Sequence, residues 1–352
     1  MTRIVAVDVT TPPHRYPQAE ITDEFARTCL PNNESQALLR RLHASSQVSH
    51  RNLVLPLDQY ATLGTFTDAN NAFLGAAVDL GATALTRALD QAHIAPDEVD
   101  FIVSSTVTGI AVPSLEARIA ARIGLRADVK RVPMMGLGCM AGAAGIARLH
   151  DFLAGAPTAV GVLVCVELCS LTVQHDDPSV ANLVASGLFG DGAGAVVALG
   201  SERAATAQGP TILDSRSHLY PHTERAMGWD VGASGLKVVL GQEIPELVKT
   251  YLHDDVREFL ADHDLKIENV DRWISHPGGP KIIEAICCAL GLDNDALSLT
   301  WRSLDTVGNM SSVSVLDVLR MTMTEGTRAP GEYGLLLAMG PGFSSELVLL
   351  RW

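Results

Sequence analysis

Short apolar runs separated by turn residues recur along the chain: IVAVDV, DFIVSSTV, VGVLVCVEL, AGAVVALG, TILDSRS, LKVVL, RWISH, GLLLAMG and ELVLLRW, in that order. Most are nearly continuous in Val, Ile and Leu rather than alternating, the pattern of strands covered on both faces. Residues 72–92 and 243–263 instead space their apolar positions three and four apart, which predicts helices. Strand and helix patterns in alternation predict an α/β fold whose sheets lie between helices. No low-complexity tract or long linker interrupts the pattern. The loop GSERAATAQGP, from Gly200 to Pro210, is the best place for a join, dividing residues 1–205 from 206–352.

The two stretches resemble each other. LDQAHIAPDEVDFIVSS (89–105) aligns without gaps on LADHDLKIENVDRWISH (260–276), each reading as helix end, turn, Val-Asp and strand. GCMAGAAGIARL from Gly138 aligns on GNMSSVSVLDVL from Gly308: a glycine, a polar residue, Met and small residues lead into an apolar-periodic helix. The shifts are 171 and 170 residues, so two separate segments point to one internal repeat. The repeat puts Cys139 and Asn309 at equivalent helix starts, expected to converge near a pseudo-twofold axis. His276 ends the strand equivalent to the one ending at Ser105 and is expected close to both.

Composition narrows the class. Of 352 residues, 47% are hydrophobic and 19% charged, enough apolar material for a large core and too little charge for a disordered chain. The 40 acidic and 26 basic residues leave a net charge of −14. That balance disfavours nonspecific attraction to nucleic acid or anionic membranes, and a phosphorylated substrate needs a local basic patch. The opening MTRIVAVDVTTPPHRYP reads as a first strand and not as a secretory leader. The longest apolar run, 159–171, is too short to span a bilayer and contains Glu167, so no membrane insertion is expected. Six cysteines (Cys29, Cys139, Cys165, Cys169, Cys287, Cys288) show neither CxxC pairs nor the density of a disulfide framework. Reduced thiols in a cytoplasm are expected.

Three residues stand out for chemistry. Cys139 follows a strand and a Gly-x-Gly turn and opens an Ala- and Gly-rich helix, where free backbone N–H groups favour thiolate. Plain packing accounts for Cys29, Cys165, Cys287 and Cys288. His276, in WISHPGGPKIIEAI, stands past a strand and before a rigid turn that can project its ring into a cleft. Asn309, in DTVGNMSSVSVLDVL, would in isolation serve as a helix cap. Together the three form a nucleophile, base and oxyanion-donor set. The adjacent His175, Asp176 and Asp177 read as a solvated loop, and no metal is expected.

GLGCMAGAAG, LFGDGAGAVV, SHPGGPKI, GNMSSVSVL and MGPGFSSELVLL occur in that order, and through them the chain resembles the type III polyketide synthases, the chalcone synthase-like branch of the thiolase fold. The resemblance covers essentially the whole chain. It implies a five-layer αβαβα architecture of two similar halves, with Cys139, His276 and Asn309 catalytic. It makes Phe189, in FGDG, the aromatic gatekeeper between a CoA tunnel and the cavity, and puts Ser311 in the cavity wall. Cys169 and Thr172 match the lining of the initiation and elongation pocket, and Val238 replaces a second gatekeeper Phe of plant relatives. Val112 falls where those relatives place a Met that enters the partner subunit's cavity, which implies a homodimer. Lys281 and Arg51 fall near the family's CoA-phosphate contacts.

The reaction implied loads a starter acyl group from CoA onto Cys139. Malonyl-CoA then loses CO₂, and its enolate, stabilised by His276 and Asn309, attacks the acyl carbon. Repetition and cyclisation follow. CoA thioesters are the substrates, and no metal, flavin or nicotinamide is implied. VELCSLT, MGWDVG and LTWRSL resemble alkylpyrone-forming bacterial members. With the small Val112, Cys169 and Val238, they imply medium-to-long acyl-CoA starters and alkyl α-pyrone or alkylresorcinol products. Trp229 argues the other way, for malonyl-CoA as its own primer and a tetrahydroxynaphthalene-type product. Two alternatives remain. A single-step fatty-acid-initiating ketosynthase would show one extension delivered to acyl carrier protein, and a silent acyl-CoA-binding subunit would release no CO₂.

Overall fold

The computed structural model describes residues 1–30, 33–175, 177–325 and 329–352. Its strands are β1 (Arg3–Thr10), β2 (His14–Pro17), β3 (His50–Leu53), β4 (Phe101–Ser105), β5 (Lys130–Met134), β6 (Val160–Leu168), β7 (Asp191–Leu199), β8 (Thr211–Leu219), β9 (Met227–Gly232), β10 (Gly235–Leu240), β11 (Arg272–Ser275), β12 (Tyr333–Gly340) and β13 (Ser344–Arg351). All nine apolar runs of the sequence are strands. The short strands it did not announce are β2, β3, β5 and β9; β5, KRVPM, is largely exposed and contains Pro133, so it carries no apolar signal.

Nine strands form one mixed sheet in the order β11-β12-β13-β8-β1-β7-β6-β4-β5, while β2 pairs with β3 and β9 with β10. The repeat is visible in the pairing. In one half β4 is parallel to β6, β6 antiparallel to β7, and β7 antiparallel to β1. In the other half β11, β12, β13 and β8 repeat those relations in the same order. The edge strand β5 has no strand counterpart among the described residues. The half-sheets join between β1 and β8, where Arg3 pairs with Thr211.

The helices are α1 (Gln18–Cys29), α2 (Asn33–Ala44), α3 (Phe66–Ala92), α4 (Leu115–Ile123), α5 (Ala141–Ala154), α6 (Val180–Leu188), α7 (Ile244–Ala261), α8 (Pro280–Leu290), α9 (Ser298–Val307) and α10 (Ser312–Thr324). The expected helix at 72–92 begins earlier, at Phe66, because Thr65 and Asp68 cap it reciprocally: each side chain accepts the other's backbone N–H. Helix α3 is long and apolar enough to cross a bilayer, yet Phe73, Ala77, Leu85 and Leu89 are buried as it packs on β7, β1 and β6.

Both faces of each half-sheet are covered, which explains the continuous apolar runs. Leu163 and Cys165 of β6 and Leu336 and Ala338 of β12 face a central layer made by α5 and α10. Val162, Val164 and Val166 face out toward α3, and Leu335 and Leu337 face out toward α7 and α8. The result is five layers, αβαβα. The small residues of α5 are a geometric necessity. A Cβ on Gly142 would lie 2.3 Å from the Ser312 carbonyl oxygen on α10, and one on Gly145 would lie 2.4 Å from Leu163 Cδ1. The two central helices thus meet with almost no side chain between them, and their starts carry Cys139 and Asn309.

Candidate active site

Each of the three chemical residues is held by a glycine turn. Between β5 and α5 the chain passes Gly136 and Gly138 at positive φ, and a Cβ on Gly138 would lie 2.6 Å from Pro341 Cδ. Cys139 follows in a single tight helical turn, buried at 8% exposure. His276 sits one residue past β11, its N–H donating to the Leu337 carbonyl at 2.9 Å, and Gly279 and Pro280 then launch α8. Among the described residues neither of its buried ring nitrogens has a hydrogen-bond partner. Asn309 forms a parallel bridge with Phe189: its N–H donates to the Leu188 carbonyl at 2.8 Å, and its carbonyl accepts the Gly190 N–H at 2.9 Å.

The Asn309 side chain does not act as a conventional helix cap. The cap position of α10 is Ser311, which makes no side-chain cap bond. Asn309 Oδ1 instead accepts the Ser311 N–H at 2.8 Å, which fixes the amide and leaves Nδ2 as the free donor toward Cys139. Cys139, His276 and Asn309 line one cavity of about 510 Å³ together with Phe189, Lys281 and Phe343. Lys281 is exposed on its wall. A smaller adjoining cavity, about 80 Å³, is lined by Cys169, Thr172 and Val238. Phe189 lines both, so it stands between them as a gate would. Ser311 is buried close enough to Cys139 to favour its thiolate.

Other expected positions fall elsewhere. Val112 is 88% exposed and lines neither cavity of its own chain, because its loop points out from the fold. Arg51 is not at the surface where a CoA phosphate would sit: it is 3% exposed and bonded to Gln18 and to the Phe189 carbonyl. Asp176 lies outside the described residues; His175 Nδ1 meets Cys29 Sγ at 3.4 Å, and Asp177 pairs with Lys237 at 3.1 Å.

Burial sets the resting charge state. It pushes the Cys139 thiol up to about 12, against hydrogen bonds from Ser311 and Asn309 that favour thiolate. It pushes the His276 imidazole down to about 3. Near neutral pH both groups are therefore uncharged, and desolvation outweighs the helix-start effect expected from sequence. Alkylation of Cys139 by iodoacetamide, followed by peptide mapping to exclude the exposed Cys288, should keep rising between about pH 6 and 10 as thiolate appears. A plateau reached below about pH 7.5 would instead reveal a preformed thiolate-imidazolium pair.

Glu167 is the residue that sequence reasoning passed over. It is fully buried and accepts hydrogen bonds from Ser312 Oγ at 2.6 Å, Thr108 Oγ1 at 3.0 Å and Val107 N at 3.1 Å. Burial lifts its carboxyl to about 7, and its charge helps raise the Cys139 thiol. The available signal was a lone Glu inside an otherwise apolar strand.

With this geometry in view, residues 1–203 match the family of chalcone and stilbene synthases through its N-terminal domain, and residues 212–352 through its C-terminal domain. The chain is 52% identical over 352 residues to the 1,3,6,8-tetrahydroxynaphthalene synthase of Streptomyces peucetius subsp. caesius, covering 100% of this chain and 93% of that one. It is 29% identical to an α-pyrone synthesis polyketide synthase-like protein of Mycobacterium tuberculosis, covering 96% and 88%. The crystal structure of 1,3,6,8-tetrahydroxynaphthalene synthase from Streptomyces coelicolor A3(2) superposes with a TM-score of 0.94 at 30% identity, covering 99% of both chains. Five layers with a two-part site define a thiolase-like condensing enzyme. The chain belongs to the chalcone and stilbene synthase family, the type III polyketide synthases.

Proposed function

We propose that this synthase uses malonyl-CoA both to prime Cys139 and to extend the chain, and that it releases a tetrahydroxynaphthalene-type product. The observation that carries this reading is the 52% identity, over the whole chain, to a tetrahydroxynaphthalene synthase. Trp229 supports it. Trp229 is directly opposite Val238 in the β9/β10 pair, where directly opposed residues share a face, so it is the bulky neighbour of a residue that lines the side cavity.

In the reaction, Cys139 Sγ attacks the thioester carbonyl of the primer; the bond to CoA breaks, and CoA leaves as its thiol. His276 takes the Cys139 proton. A further malonyl-CoA loses CO₂, and the enolate oxygen is stabilised by His276 Nε2–H and Asn309 Nδ2–H in a water-poor cavity. The enolate carbon attacks the acyl carbon and expels Cys139, leaving a chain two carbons longer on CoA. Residues 1–205 thus supply the nucleophile and 206–352 the two enolate donors. No metal or further cofactor takes part, and the enzyme works in the cytoplasm on CoA thioesters, with Lys281 at the cavity mouth offered to their phosphates.

Mass spectrometry of products from labelled malonyl-CoA alone should show an aromatic polyketide built only from malonyl units. If turnover instead requires an added acyl-CoA, and kcat/KM rises from acetyl- through hexanoyl- and lauroyl- to palmitoyl-CoA, the alkylpyrone or alkylresorcinol reading replaces this one.

A homodimer is part of the same proposal. Val112 shares its exposure with Met135 (59%), Val132 (40%) and Ile110 (39%), apolar side chains of one stretch of the N-terminal half. Light scattering should give about twice the 37.4 kDa chain mass, and Val112→Asp should lower it. A fully active monomer at micromolar concentration would contradict the assignment.

A further inference from the structure

Arg51 is a buried cation with an unused hand. Arg51 lines the smaller cavity that Phe189 also lines, with Cys169, Thr172 and Val238. Nε donates to Gln18 Oε1 at 3.0 Å and Nη1 to the Phe189 carbonyl at 2.7 Å, but among the described residues the buried Nη2 has no hydrogen-bond partner. A buried charged donor left unpaired is costly, so its persistence calls for an acceptor. Asp191 offsets the charge from a distance, yet its oxygens are taken by the Ser170 N–H, the Ser170 hydroxyl and the Val54 N–H. The Arg51 stem is boxed in by backbone: a Cβ on Gly308 would lie 3.1 Å from Arg51 Cγ, and one on Gly190 3.8 Å from it. The head therefore has little freedom to swing to another acceptor.

The same cavity points back to the nucleophile. Cys169, on its wall, is within electrostatic range of both Arg51 and Cys139, and Phe189 lines this cavity and the one holding Cys139. The remaining lining mixes apolar Phe25, Leu53, Leu57 and Val238 with Tyr60, Ser170, Asn182 and Glu24, whose carboxylate is held by Arg27, a small and partly dry space in which an oxyanion gains from a guanidinium.

We propose that Arg51 Nη2 binds a carboxylate at the far end of the acyl group on Cys139, so that this enzyme selects dicarboxylic acyl primers over neutral ones of equal length. The inference rests on Cys139 being the acyl carrier and deepens that reading by naming the chemical class of the primer.

Succinyl-CoA and butyryl-CoA test it as a pair, since they share chain length, differ in the terminal carboxylate and do not decarboxylate as malonyl-CoA does. In both, the Cys139 Sγ–acyl bond forms as the acyl–CoA sulfur bond breaks, and CoA leaves as its thiol. Intact-protein mass spectrometry gives each acylation rate. Arg51→Gln should lower the succinyl-to-butyryl rate ratio at least about tenfold, the scale of one lost charge-assisted bond, with Arg51→Lys between the two. Both rates falling together would show that Arg51 only props Phe189, and unchanged rates would show Nη2 idle; either overturns the proposal. Should Arg51→Gln fail to fold, the wild-type enzyme still decides: succinate, and not butyrate, should protect Cys139 from iodoacetamide, and equal protection overturns the proposal. Failure of malonyl-, succinyl- and butyryl-CoA alike to acylate the wild-type enzyme would sink the acyl-carrier reading itself, while the succinate protection still reports on Arg51.

Discussion

Cys139→Ala should abolish the acyl-enzyme and lower product formation on the order of 10⁴-fold or more, the scale seen when a nucleophile is removed. Among the described residues it is the thiol that lines a cavity together with His276 and Asn309. Cys165 faces the packed central layer, and Cys169 lies on the wall of the side cavity with its thiol pushed well up by burial. The substitution removes one sulfur from a cavity wall, so the fold should survive it. Intact mass after incubation with malonyl-CoA gives the readout, and acyl label found at Cys169 with product still forming would refute the assignment.

Asn309 carries the second large effect. Asn309→Ala and Asn309→Asp should both lower malonyl-CoA decarboxylation by about 10²- to 10³-fold, as removal of a preorganised oxyanion donor does. Acylation of Cys139 should stay within a few-fold. The pair of variants separates chemistry from support. Aspartate keeps an oxygen to accept the Ser311 N–H, so a purely structural Asn309 would be rescued by Asp. It also places negative charge where the enolate forms, so a true enolate donor is rescued by neither. Rates of CO₂ release measured beside rates of acylation decide between the two.

The three candidate residues that share the cavity stood out in the sequence as a set and through family resemblance, and backbone constraints mark their positions. Glycines at positive φ before Cys139 and Asn309, and the Pro-Gly-Gly-Pro turn after His276, are local necessities that a reader meets without knowing the fold. The strands were legible for a similar reason, since two covered faces leave continuous apolar runs. Arg51 was placed near the CoA-phosphate contacts by resemblance, and a local stretch of sequence does not show that it is buried. Its partners, Gln18 and the Phe189 carbonyl, lie 33 and 138 residues away and are found only by folding. Glu167 shows the opposite difficulty. Its place in the apolar run was obvious, but the hydroxyl and amide donors that make it tolerable come from β6's neighbours and from α10. The cavity sizes, on which the choice of product turns, depend on side-chain contacts between distant segments, and no spacing rule reports them.

The central helix layer has a thermodynamic consequence. Its apolar cluster takes Ile4, Val103 and Leu163 from one half and Ile274, Leu336 and Val348 from the other, with α5 and α10 between them. Cutting the chain in the loop after Gly200 would strip one inner face of each half-sheet, and such faces are too apolar to stay in water unpaired. The repeats are therefore copies in pattern but not independent folding units: loss of either should melt the other in a single cooperative transition, with the site dissolving at the moment its two helix starts part.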